Sequence, residues 1–482
     1  MSDRAKENNK GFYITFCPNM QHITFSRFST AASENSSFPK IKIEFRNVRA
    51  YCKGVMRFVK TTAIAAVCAA FMTVNVSAAP EEGFTSLFNG KDLTGWTLMS
   101  GVGPGYVVKD GVIVCPADGG GNLMTEKEFS NFILRFDVKL TAAGNNGIGI
   151  RAPLEGHAAA DGMEIQVLDN EHKSYANLKP WQYHGSVYGF FPAKRGFQKP
   201  VGEWNEEEII ADGRHIKVTL NGEVILDENL NTYNSDHQKM LNQCGMLRDT
   251  GHLGFLGHGT HVEFRNIRIK ELPYTQTDNV APEGFTALFN GKDLEGWHGT
   301  GWTPLSRSYF TTNEERQNAQ NAADKRMREH WSVKDGVLCY DGLGRSRDNL
   351  HTEKEYVNFE LLVDWKIEHL GDSGIYLRGT PEVQIWDPSM ANVGSGGLSN
   401  NVKNAHDPLV RADKPIGEWN NFRILLLDDK VTVYLNNQLV VRNVTLENFW
   451  NPNVPLYPSG FVELQTYGTP VYFKNIDLRE IK

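Results

Sequence analysis

A fourteen-residue phrase occurs twice in this chain and limits what it can fold into. "GFTSLFNGKDLTGW" at residues 83–96 and "GFTALFNGKDLEGW" at residues 284–297 agree at 12 of 14 positions. The likeness continues in order. "VVKDGVIVC" from Val107 is answered by "SVKDGVLCY" from Ser332, "TEKEFSNFILRFDVK" from Thr125 by "TEKEYVNFELLVDWK" from Thr352, and "HGTHVEFRNIRIKEL" from His258 by "YGTPVYFKNIDLREI" from Tyr467. A period of about two hundred residues is far too long for a solenoid unit, so each copy must bury a core of its own. The chain reads as a tandem duplication: a first domain over 80–272, a polar Pro-containing linker over 273–283 and a second domain over 284–482.

Within each copy the pattern is all-β. Runs such as "FILRFDVKL", "IKVTLNGEVIL" and "VEFRNIRI" alternate apolar and polar residues, and Asn221-Gly222 and Asp110-Gly111 supply turns between them. About a dozen short strands per copy and almost no crossover helix predict two antiparallel sheets packed as a sandwich of the jelly-roll kind. Two segments depart from this. Residues 313–330 read as a polar surface helix inserted in the second copy only, and residues 235–247 as a shorter helix in the first. Trp96, Trp297, Trp204 and Trp419 are expected in the core, the last two at strand starts.

The amino end is set apart. From Met56, a basic start, an apolar stretch and the small-residue exit Val76-Ser77-Ala78 form a secretory signal peptide over 56–79. Met56 is then the expected start of translation, with residues 1–55 an over-long extension that does not fold with the rest. The apolar run is too short for a membrane span, so a soluble, exported and periplasmic protein is expected. Cys68 raises a lipoprotein alternative, although Val67 is a poor residue before a lipidated Cys. After cleavage Cys115, Cys244 and Cys339 remain, too scattered for a disulfide framework or a zinc site. A formal charge of -7 without clustered Lys and Arg beyond the first sixty residues excludes a nucleic-acid face.

Strand parity locates candidate chemistry. In the run ending at Arg151, Ile148 and Ile150 share the core face and Arg151 takes the other; in the next strand Glu164 and Gln166 lie opposite Ile165 and Val167. The second copy repeats this with Tyr376, Arg378, Glu382, Gln384 and Trp386. Matching Arg, Glu and Gln in both copies points to a polar face where a sugar would find hydrogen bonds and stacking rings, Tyr376 and Trp386 among them. A conventional glycosidase needs two opposed carboxyl groups, but Glu164 and Asp169 fall on opposite faces by parity. His258, before a Gly turn, is the best general acid or base among the histidines, and His184 a weaker one. No dedicated metal motif is present.

These motifs, "GFTxLFNGKDLxGW", "NxGIxxR", "EIQVLD", "GEWN" and the closing "HGTxVEFRNIRIKEL", resemble the 3-keto-disaccharide hydrolase domain family over nearly all of 82–272 and 283–482. The resemblance implies two tandem concanavalin-like jelly-roll sandwiches. It also implies cleavage of glycosides already oxidised to a ketone at C3, by elimination or net hydrolysis, with a separate sugar 3-dehydrogenase supplying the ketone. Such a ketone acidifies the C2 proton, so one base suffices while a donor or a divalent metal holds the enolate. On this basis Glu164 or His258 is the expected base, with Arg151 and Gln166 holding the sugar or enolate oxygen; Glu382, Arg378 and Gln384 are their counterparts.

The copies depart from the family pattern in different places. The first has Leu256 where the family has Gln but keeps His258. The second keeps Gln465 but has Tyr467 in place of the His. Asn146 stands where Ser is common, while Ser373 follows Asp372 in the second copy. One copy is then catalytic and the other a sugar-binding or structural partner, with the first favoured for its His258, or each serves its own substrate. A non-catalytic carbohydrate-binding protein is the rival reading. The catalytic reading requires Glu164, Arg151 and His258 to converge on a sugar-sized hollow.

Overall fold

The computed structural model describes residues 81–274, 276–301, 311–344 and 348–482. The expected extension (1–55) and signal peptide (56–79) lie outside them. Among the described residues each copy contains thirteen strands, from Thr85–Ser86 to Val262–Glu271 and from Thr286–Ala287 to Val471–Ile481.

In the first copy an eight-stranded antiparallel sheet runs Glu223–Asn229, His215–Leu220, Trp204–Asp212, Phe132–Leu140, Val262–Glu271, Val112–Cys115, Val107–Lys109, with Thr85–Ser86 also on Val262–Glu271. A five-stranded sheet faces it, in the order Trp96–Val102, Gly120–Phe129, Gly251–Gly257, Asn145–Ala152, Met163–Leu168. The second copy repeats both orders. Its five-stranded sheet runs Trp297–Gly299, Leu350–Thr352, Glu463–Leu464, Asp372–Leu377, Thr380–Trp386. Neighbours distant in sequence are the mark of jelly-roll wiring, and both copies are β-sandwiches of that kind.

Aromatic rings fill the space between the sheets. Phe255 of the smaller sheet stacks on Phe264 of the larger at 3.9 Å, and Trp96 stacks on Phe255 at 5.4 Å. In the second copy Trp331 stacks on Phe473 and Trp365 packs on Phe422. Rings of this size each bury 150–250 Å² or so, which makes them the largest single contributors to such a core.

The repeated opening phrase is a self-contained lock. Asn89 Oδ1 accepts from the backbone N–H groups of Lys91 and Asp92, Asp92 accepts from Thr94, and the buried Trp96 donates its indole N–H to the Leu87 carbonyl at 2.8 Å. Asn290, Asp293, Trp297 and Leu288 repeat every bond. Gly90 (φ 75°) and Gly291 (φ 72°) turn through the left-handed region that glycine tolerates best.

Trp204 and Trp419 differ from the expectation. They stand near strand starts but are half-buried on the outer surface, where Lys139 and Arg265 cover one ring and Lys366 and Lys474 the other. Cation–π contact lets a large ring stay half-wet there.

The two sandwiches share a core. Leu425, Leu427, Tyr434 and Ile481 of the second copy join the first copy's apolar cluster beside Met240, Cys244 and Leu247. Helix His237–Asn242 and the 3₁₀ turn Cys244–Leu247 carry those first-copy residues, as the short helical segment predicted there. At the seam Glu360, fully buried, accepts from Arg423 at 3.2 Å and from Arg479, whose guanidinium also donates to the Asn231 and Tyr233 carbonyls of the first copy. Arg423 reaches Asp249 of the first copy at 3.0 Å. Burial alone would raise the Glu360 carboxyl, but Arg479, Arg423 and Arg214 hold it at about 2. Cys115 and Cys244 are buried and Cys339 half-buried, all as free thiols.

Candidate active site

Registers across the smaller sheets put one residue of each strand in a single row on the face turned away from the core. In the second copy the pairings Glu382–Tyr376, Tyr376–Glu463, Glu463–His351 and His351–His298 give the row Glu382, Tyr376, Glu463, His351, His298. The same places in the first copy are Glu164, Gly149, Gly254, Met124 and Thr97. Polar chemistry is therefore concentrated in the second copy. The two outer carboxylate-bearing strands flank the Tyr376 strand, which sets Glu382 and Glu463 about 10 Å apart at their backbones.

The second-copy row is tightly bonded. Gln465 donates through Nε2 to Glu382 Oε2 and, at 3.1 Å, to the Tyr376 hydroxyl. Glu382 Oε1 lies 2.9 Å from the Ser399 hydroxyl and accepts from Asn400 Nδ2 at 3.4 Å. Gln384 donates to Asp372 Oδ1 at 2.9 Å and to the Ser373 carbonyl at 3.0 Å. Glu463 takes Asn349 (2.6 Å) and Thr300 (3.2 Å) on its Oε1. Gly374 makes room: a Cβ there would sit 2.8 Å from Glu382 Oε2. Burial pushes Glu382 up to about 7, against the lowering that a hydrogen bond given by Ser399 would bring and with the Asp372 charge raising it further, and burial also brings Glu463 to about 7. The Tyr376 hydroxyl is pushed up by burial and by the Glu382 charge, so it stays protonated at neutral pH.

The inserted helix Asn313–His330 closes one end of the row. Its start is a capping box, with Thr312 accepting from the Glu315 N–H and Glu315 from the Thr312 N–H. Asp324 on this helix holds His298 Nδ1 at 3.1 Å and accepts from the Gly299 N–H. A Cβ on Gly299 would meet the Ala323 carbonyl at 2.4 Å, so only glycine lets the helix seat this closely. At the other end the Ser399–Asn400 turn lies over Glu382, which is 5% exposed.

In the first copy, Glu164 packs over Gly147, and its Oε1 is buried without a hydrogen-bond partner; His258 Nε2 stands 3.6 Å away. Where the second copy has polar groups, Met124, Leu256, Ala152 and Ala158 form an apolar cluster, with Met99 and Ala159 against it. Gln166 turns its Oε1 to the Val167 N–H. The pair Glu164 and His258 is as expected, but the face around it is filled with methyl and thioether groups. The second copy, and not the first, therefore carries the richer set of polar groups on this face.

Both arginines need correction. Arg151 is fully buried, and its guanidinium donates to the carbonyls of Ser130, Gly213 and Arg248 and to Asn131 Oδ1, tying the two sheets at the sandwich end. Arg378 does the same with Val357, Tyr457 and Asn358. Both residues have φ near 50° (51° and 55°), and this left-handed backbone swings them off the face that parity assigned. Arg151→Met and Arg378→Met should each lower unfolding stability by about 2–4 kcal/mol, since several buried carbonyls lose their donor, while leaving KM unchanged. Urea melts and steady-state kinetics check this together.

Asn146 also faces inward: it is fully buried, donating to the Tyr106 hydroxyl at 3.2 Å in the core. Trp386 is half-buried with its indole N–H on the Gly394 carbonyl. His184 is buried in the first sandwich, 3.2 Å from Glu207. Asp169 accepts from the Ala143 and Glu171 N–H groups.

Glu164 and His258 are adjacent, but Arg151 is buried at the sandwich end and does not join them. A cleft of about 460 Å³ is lined by Arg378, Lys403, Asp429 and Pro455 among others, and one of about 230 Å³ by Asp249, Arg423 and Tyr434; neither is lined by Glu164 or Glu382. Among the described residues no group of three or more His, Cys, Asp or Glu side chains is assembled that could hold a metal ion. Nor is any helix among them long and apolar enough to cross a membrane.

Glu463 was not anticipated. It is not written twice, since its counterpart is Gly254; parity within "VELQ", which puts Glu463 beside Gln465 on one face, carries the signal. His351 and His298 are hidden in the same way by Met124 and Thr97.

The chain has relatives among known proteins. A 3-keto-disaccharide hydrolase of Bacteroides thetaiotaomicron is 29% identical over 229 residues, 40% of this chain and 79% of the relative. Two solved structures of candidate glycosyl hydrolases from Parabacteroides distasonis align at 31% and 28% identity, over 40% and 39% of this chain and 95% and 99% of theirs, each with a TM-score of 0.35. The 3-keto-alpha-glucoside-1,2-lyase-like domain matches residues 83–270 and again 284–479, and the chain belongs to that family, carrying its domain twice in tandem.

Proposed function

We propose that the protein is an exported, periplasmic carbohydrate-active enzyme that cleaves 3-keto-glycosides on the second copy's row. The observation that carries this is the placement of two buried carboxyl groups, Glu382 and Glu463, on either side of Tyr376 on one sheet face. The relative's name, a 3-keto-disaccharide hydrolase, supports the substrate class.

A ketone at C3 makes the C2 proton acidic, and Glu382 is the base that takes it. With a carboxyl group poised near 7, Glu382 is ionised in part and basic enough to act at neutral pH. The donors beside it, the Tyr376 hydroxyl and Gln465 Nε2, face the oxygen on which enolate charge develops. Glu463, raised to about 7 by burial and so protonated in part at neutral pH, gives its proton to the departing C1 oxygen. The C2–H and C1–O bonds break, a C1–C2 double bond forms, and one proton has moved to Glu382 and one from Glu463. Addition of water to that double bond makes the net reaction a hydrolysis. A separate sugar 3-dehydrogenase makes the substrate.

Purified protein incubated with a 3-keto-glucoside and with the unoxidised glucoside should release aglycone from the first alone, with or without a chelator. Release from both at equal rates would remove the ketone from the account.

A further inference from the structure

The Ser399 hydroxyl lies 2.9 Å from Glu382 Oε1 and 2.8 Å from Gln384 Oε1. When Glu382 is ionised, both neighbours are acceptors, and a serine hydroxyl has only one hydrogen to give. Gln384 cannot flip to relieve this. Its Nε2 donates to Asp372 Oδ1 and to the Ser373 carbonyl, so Oε1 is the atom facing Ser399. With the Ser399 hydrogen directed to Gln384, the other contact closes only if Glu382 brings a hydrogen of its own.

We infer that Ser399 is a positioning residue for the proton-accepting step: protonated Glu382 donates to Ser399 Oγ, and Ser399 donates onward to Gln384. The inference rests on the reading of Glu382 as the base and deepens it. The carboxyl that has just received the C2 proton is then held in one orientation, and its neutral form is favoured over the ionised form.

The charged and titratable groups that face Glu382 are Tyr376 and Asp372 on the adjacent strand and Glu463 beyond it; Gln465 and Asn400 bring neutral amides. An ionised Glu382 therefore has no cation beside it among the described residues. Only hydrogen-bond donors favour its charged form, and a Ser399 that served as one of them would act in the opposite sense to the arrangement inferred. The two roles differ in sign, which makes them separable.

The full chain, labelled with ¹³C at the Glu carboxyl, would be titrated by NMR as wild type, Ser399→Ala and Ser399→Thr, with the Glu382 resonance assigned by its loss in Glu382→Gln. The midpoint should fall by about 1 pH unit in Ser399→Ala and return in Ser399→Thr. A midpoint that rises, or does not move, overturns the inference. No substrate is involved, so an outcome against Ser399 leaves the 3-keto-glycoside reading untouched. Loss of that reading would in turn leave the titration result standing. Glu382→Gln adds a second check, because its amide N–H can donate to Ser399 Oγ as the protonated acid does. It should melt at or above the wild-type temperature at pH 7, and a lower melting temperature counts against the arrangement.

Discussion

Glu382→Gln should lower kcat/KM for a 3-keto-glucoside by about 10²–10⁴-fold, the range that a lost general base removes, while Glu164→Gln stays within about twofold of wild type. The amide keeps the shape and the bonds to Ser399 and Gln465 but cannot accept a proton. Glu164 has the same strand position, yet its row continues into Gly149, Gly254 and Met124, which offer neither a proton donor nor an oxygen ligand. The pH profile follows from both carboxyl groups standing at about 7. Activity rises with pH as Glu382 loses its proton and falls as Glu463 loses its own, so a narrow bell around neutrality is expected, its limbs belonging to the pair. Glu463→Gln should flatten the alkaline limb. Losing activity equally in both Glu variants, Glu164→Gln and Glu382→Gln, would show that the copies share the work.

The second large effect concerns the seam between the sandwiches. Glu360→Gln leaves Arg423, Arg479 and Arg214 buried against one another without their shared carboxylate, and should destabilise the protein by about 3–5 kcal/mol in urea unfolding at pH 7. The sign with pH is fixed by linkage. The folded Glu360 value of about 2 lies below its ordinary value, so its contribution is present above about 4.5 and is lost as pH falls toward 2. Wild type should lose stability across that window, and Glu360→Gln should lose less. Equal slopes in the two proteins would mean that the seam does not depend on this charge.

The fold was legible because its signals are local and repeated. Period-two runs, Asn-Gly and Asp-Gly turns and a phrase written twice each dictate backbone geometry without reference to distant residues. The helix 313–330 was legible from its own local pattern, and the capping box at Thr312 and Glu315 that starts it was not read there. The site was legible only where parity holds. It placed Glu164, Gln166, Glu382 and Gln384 on the outward face, but failed at Arg151 and Arg378, where a positive φ breaks the alternation, and Asn146 belongs to the core-facing set. The similarity between copies drew attention to residues the copies share. Much of the second copy's chemistry lies where they differ, at Tyr376, Glu463, Gln465 and His351 against Gly149, Gly254, Leu256 and Met124. Ser399 escaped notice because what brings it to Glu382 is a turn with no periodicity to read.

The central claim, that the sugar is processed on the second copy's smaller sheet, is met most directly by a crystal structure of Glu382→Gln soaked with a 3-keto-glucoside. The sugar should lie against Tyr376 and Gln465, with C2 toward residue 382 and the glycosidic oxygen toward Glu463. Sugar density at Glu164 and His258, with the Glu382 row empty, would contradict it.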